Sequence, residues 1–164
     1  MNNQLDISVI VERSRLGAFQ LLVLIQCFLC MVVDGFDIQA MAYAAPSLIA
    51  DWGIAKANLG PVFSISMLGM LIGSLALGSV ADRVGRRPVL VTASLVMAVL
   101  MYFTAKTTTV DSLLALRFFT GIAMGAIVPN VATLVTEYAP RHNRVMLLTL
   151  VSSGMVVGGL VGGA

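Results

Sequence analysis

The chain has 164 residues, of which 59% are hydrophobic and only 11% charged, and its mean hydropathy is +0.96. These values lie well outside those of a soluble domain of this length and identify an integral membrane protein. The net charge of +2 comes from basic residues gathered in short loops, with no continuous basic stripe, which excludes nucleic acid as a partner.

A spanning helix needs about 20 mostly apolar residues, and the chain offers four such stretches and an incomplete fifth. A polar amino-terminal tail occupies residues 1–15, and a transmembrane bundle the remainder, residues 16–164. The expected helices cover about 16–45, 59–80, 88–105, 112–135 and 146–164. None shows the alternation of a barrel strand, so the class is all-α. The first stretch is too long for a signal-peptide core of about 7 to 15 residues, and further spans follow it.

Within the first helix, Cys27 and Cys30 have the spacing of a redox pair, but an apolar helix stabilises a thiolate poorly, and they are expected to be packing residues. Asp34 and Asp37 follow, three apart and so on one helix face. An aspartate at mid-membrane costs roughly 2.5–3.5 kcal/mol on insertion scales, so such a pair needs a partner or a water-filled cavity. The alternative is a helix that stops at Val33, with Asp34 to Asp37 forming an exposed turn begun by Gly35.

The loop between the second and third helices reads Gly78-Ser-Val-Ala-Asp82-Arg83-Val-Gly85-Arg86-Arg87-Pro88. Its arginines cannot enter hydrocarbon cheaply and mark a cytoplasmic turn. Arg13, Arg15, Arg83, Arg86, Arg87, Arg141 and Arg144 fall on that side, and only Lys56 and Lys106 on the other. The amino terminus is therefore expected in the cytoplasm, with the loops around Trp52 and Thr107 outside.

Arg117 stands inside the fourth helix, roughly 9 Å beyond Asp111, and Asp37 lies roughly 12 Å before Ala45, so the two reach similar depths. Opposite charges at one depth can offset each other's desolvation, and an arginine fork can also take a substrate carboxylate. A carboxylate held between desolvation and an arginine can load and release a proton. The alternative for Arg117 is a side chain that snorkels to the outer surface. Glycines four apart, at Gly69 and Gly73, Gly121 and Gly125, and Gly154, Gly158 and Gly162, mark helix contact faces. His142 is the only histidine, so no metal set can be assembled, and no cofactor is implied. Neither a nucleophile–base set nor a phosphate-binding glycine loop is present, so no catalytic residue is assigned and no enzyme is expected.

The charged loop matches the signature Gly-x-x-x-Asp-[Arg/Lys]-x-Gly-Arg-[Arg/Lys] at Gly78, Asp82, Arg83, Gly85, Arg86 and Arg87, and Arg117 with Gly121 matches Arg-x-x-x-Gly. In both, the chain resembles the amino-terminal part of a major facilitator superfamily transporter. Asp34-Gly-Phe-Asp37 and the run from Pro129-Asn130 to Glu137-Tyr138-Ala-Pro140 are similar to those of the aromatic acid:proton symporters. The resemblance implies that Asp34 and Asp37 serve substrate or proton coupling and that Arg117 serves charge balance or proton handling. It also implies a cytoplasmic gate, in which Gly78 permits close helix approach, Asp82 faces a helix amino terminus in the other half of the fold, and the arginines bridge to acids such as Glu137. Solvated loop charge is the alternative for Arg86 and Arg87. The fifth helix lacks the proline of the antiporter signature, which favours symport.

The expected fold is the amino-terminal bundle of the major facilitator fold, truncated in its fifth helix, in a multi-pass protein of the cell membrane, a bacterial inner membrane. The expected function, as part of a full-length protein, is proton-coupled uptake of a small aromatic carboxylate such as 4-hydroxybenzoate. The partners are that carboxylate, the proton and the lipid bilayer, with missing carboxy-terminal helices or a second copy needed to complete the site. Two alternatives stand beside it: a non-transporting membrane fragment, and a carrier for another organic anion or a sugar.

Overall fold

A computed structural model describes residues 17–53 and 59–163. The tail over residues 1–15 with Arg13 and Arg15, the loop residue Lys56, and Ala164 lie outside the described residues. Among the described residues, five helices are each long and apolar enough to cross a membrane: α1 (Ala18–Trp52), α2 (Leu59–Val84), α3 (Arg86–Ala105), α4 (Val110–Tyr138) and α5 (Arg144–Gly162). The chain is a multi-pass membrane protein.

α1 is longer than hydropathy alone suggests. Its 35 residues run through Pro46 to Trp52 and stop at Gly53, whose φ of 61° is the left-handed conformation that ends helices. That is roughly 52 Å of helix, well beyond the roughly 30 Å of a hydrocarbon core. α2 and α3 meet at Gly85, where φ is 104° and ψ is 149°, a region that only glycine enters without strain. The Thr109 side chain caps α4 by accepting from the Ser112 N–H, and a short 3₁₀ turn, Arg141–Asn143, leads into α5.

Lipid provides no hydrophobic force to press helices together, so the tightest contacts form where side chains are smallest. α2 packs on α4 through Gly69, Gly73, Gly121 and Gly125: a Cβ on Gly73 would land on the Ile122 carbonyl, and one on Gly125 on the Met70 carbonyl. α1 packs on α5 in the same way, with Gly35 against the Met155 carbonyl and Gly158 against the Val32 carbonyl. α3 lies along α4, and α1 also touches α4. Between them sits an apolar core that includes Met31, Leu90, Met97, Met124 and Ile127.

Candidate functional site

α1 remains helical through Asp34–Asp37. Gly35 begins no turn there; its missing side chain lets the α5 backbone approach. The helix turns both aspartates inward. Asp37 and Arg117 have side chains only 3% and 8% exposed, and Arg117 Nη1 donates to Asp37 Oδ2 at 2.7 Å. Each charge thus replaces lost hydration with a short charge-assisted hydrogen bond. The pair is not fully satisfied, because Arg117 Nε is buried without a partner among the described residues. Asp34, one turn away, is completely buried, and neither of its oxygens has a partner among them. The structure therefore brings Asp37 and Arg117 together and leaves Asp34 outside that pair.

The pair lies in the wall of a cleft of about 320 Å³ between α1, α3 and α4. Ala40, Ala44 and Met101 line its middle, and Trp52, Thr104 and Thr107 line the end of the bundle where α1 and α3 finish. Opposite this cleft, a groove of about 420 Å³ runs between α1 and α5, with Gln39 and Tyr43 in its wall. Gly159 and Gly163 leave the room that these two side chains occupy: a Cβ on Gly159 would stand 3.0 Å from Gln39 Cγ, and one on Gly163 would strike the Tyr43 phenol. Cys27 and Cys30 are buried free thiols, with Cys30 Sγ 3.2 Å from Ser94 Oγ.

At the other end of the bundle, Arg86 Nη2 donates to Asp82 Oδ1 at 2.6 Å, and Arg86 Nε lies 3.6 Å from Glu137 Oε1. The Arg87 guanidinium sits 5.4 Å from the Phe19 ring centre, and that ring packs against Tyr138. Arg83 is exposed and takes no part in these contacts. Gly78 has nothing within 4 Å of a Cβ position, because five residues past Gly73 is about 140° around α2, away from the glycine face that meets α4. The Asp82 carboxylate is held by Arg86, the first residue of α3, just beyond the Gly85 joint.

Several lining and packing residues carry little sequence signal. Thr104 and Thr107 look like ordinary helix-end threonines, and Phe19 like one more apolar residue of the first span. Asn130, which opens the Pro129–Pro140 run singled out in the sequence, is fully buried, donates to the Ala126 carbonyl at 2.7 Å and leaves its own Oδ1 without a partner among the described residues.

Comparison with known proteins adds two findings. The Major Facilitator Superfamily profile matches residues 27–164. The chain is also similar to curated transporters: it is 41% identical to a 4-hydroxybenzoate transporter of Pseudomonas aeruginosa over 98% of this chain and 36% of that protein. It is 40% identical to a gallate transporter of Pseudomonas putida, over 97% of this chain and 35% of the relative. A 4-hydroxybenzoate transporter of Acinetobacter baylyi is 42% identical over 98% of this chain and 35% of its own length. The chain thus spans about a third of the length of these relatives.

Proposed function

The chain belongs to the major facilitator superfamily, and we propose that it forms part of a secondary carrier coupling inward proton movement to uptake of a small aromatic carboxylate such as 4-hydroxybenzoate. The observation that carries this reading is the buried Asp37–Arg117 pair in the wall of a cleft. A desolvated carboxylate favours its protonated form, and an adjacent guanidinium favours the ionised form. Protonation of Asp37 neutralises one partner and frees the Arg117 fork to hold a substrate carboxylate; loss of the proton restores the pair and releases the substrate. Asp34, one turn away and without a partner among the described residues, serves as the second coupling carboxylate.

The relatives named for 4-hydroxybenzoate and gallate transport support an aromatic acid as cargo. The arginine-rich Asp82–Arg87 end lies in the cytoplasm and the Trp52 end outside, supported by the bias of basic residues. Arg86, Asp82 and Glu137 belong to the cytoplasmic gate, and the membrane is a bacterial inner membrane. The chain performs no covalent chemistry. Cells expressing the carrier that contains this chain should accumulate labelled 4-hydroxybenzoate, and Asp37→Asn should abolish that uptake. Equal uptake by parent and variant would refute the role of Asp37.

A further inference from the structure

We propose that Phe19, Arg87 and Tyr138 form a clasp that positions Arg86: the Phe19 ring pins the first turn of α3 to α1 and α4 and so aims the neighbouring guanidinium at Asp82 and Glu137. It rests on the proposed reading of Arg86, Asp82 and Glu137 as a gate. Phe19 is 51% exposed and belongs to neither apolar core, so burial does not explain its place. Its ring instead joins three helices. The Arg87 guanidinium on α3 stands 5.4 Å from the ring centre, within the range of a cation over an aromatic face, and the Tyr138 ring on α4 stands 5.8 Å away at a tilt of 59°. The turn that carries Phe19 is itself held, because the Gly17 N–H donates to Gln20 Oε1 at 2.9 Å.

α3 needs such a pin. It starts directly after Gly85, whose positive φ makes the joint with α2 a sharp one. Glycine contacts weld α1 to α5 and α2 to α4, but among the described residues none joins α1 to α3. Those two helices meet again at Cys30 Sγ and Ser94 Oγ, roughly 16 Å further along α1. Arg86 and Arg87 project about 100° apart around α3, so one turn sends the first to the two acids and the second to the ring. Arg87 has no acidic partner among the described residues, which separates its role from that of Arg86.

Trypsin tests this without requiring transport, on the purified carrier that contains this chain, in detergent micelles. Cleavage after Arg83 reports opening of the α2–α3 turn, and no variant used alters the residues that flank that bond. Phe19→Leu keeps an apolar side chain but removes the ring face, and it should speed this cleavage at least about threefold, as should Arg87→Gln. The double variant should be cleaved no faster than the faster single one, and Phe19→Tyr within about 1.5-fold of the parent. Phe19→Ile serves as a second non-aromatic variant should Phe19→Leu fail to fold. In cells, at equal amounts in the membrane, Phe19→Leu should lower the maximal rate of 4-hydroxybenzoate uptake at least about threefold with KM within about twofold of the parent, and Phe19→Tyr should restore it. Parent-like cleavage in the non-aromatic variants, equal acceleration in Phe19→Tyr, or single effects that multiply in the double variant would overturn the clasp. Cleavage as expected with uptake unchanged would uphold the clasp and refute the gate reading of Arg86.

Discussion

Replacing Asp37 by Asn removes one charge and changes the volume little, so it isolates the electrostatics of the buried pair. At the 2.7 Å separation and an effective dielectric of about 20, the attraction is about 6 kcal/mol, most of it offset by the hydration both groups lost. Removal of one partner strands the other. Arg117 Nε already lacks a partner among the described residues, and in Asp37→Asn its Nη1 faces a neutral amide. The expected destabilisation is about 3–5 kcal/mol, the usual cost of breaking a buried pair. Arg117→Gln should cost a similar amount, and the double variant less than the sum, with a coupling of about 2–3 kcal/mol. The single tryptophan, Trp52, lines the cleft and gives a fluorescence signal for reversible denaturant titration in micelles. Single variants within about 0.5 kcal/mol of the parent, or strict additivity in the double variant, would refute the burial and coupling on which the reasoning depends.

Other perturbations separate structure from gating. Gly158→Val places side-chain atoms on the Val32 carbonyl and should separate α1 from α5, with a stability loss of at least about 2 kcal/mol in the same titration. Gly85→Ala forces a side chain into a positive-φ conformation and should cost about 1–3 kcal/mol. Glu137→Gln should change stability by less than about 0.5 kcal/mol, because Glu137 is half exposed and its contact with Arg86 is long at 3.6 Å. A larger change in uptake than in stability for Glu137→Gln would mark the contact as part of the gate.

The helices were legible because lipid demands long apolar runs, and the contact faces because close approach demands small residues at helical spacing. Gly73, Gly125 and Gly158 sit against backbone for that reason. The continuation of α1 to Trp52 was harder to see, since Pro46 and Ser47 interrupt the hydropathy, although a proline in a long packed helix needs only local accommodation. Similar depth placed Asp37 opposite Arg117, but depth alone does not give the rotation of a helix. The sequence therefore could not show that Asp34 stays outside the pair, or that Gly78 turns away from the α2–α4 contact. The cleft was invisible for the same reason: it is space left by Ala40, Ala44 and their neighbours, and it arises only once three helices are set side by side.

Proton coupling through Asp37 is tested most directly by recording external pH while 4-hydroxybenzoate is added to a lightly buffered suspension of cells expressing the carrier that contains this chain. With the parent sequence the medium should become alkaline as substrate enters, and with Asp37→Asn neither uptake nor the pH change should appear. Entry of 4-hydroxybenzoate with no proton movement, or an unchanged response in Asp37→Asn, would contradict the account.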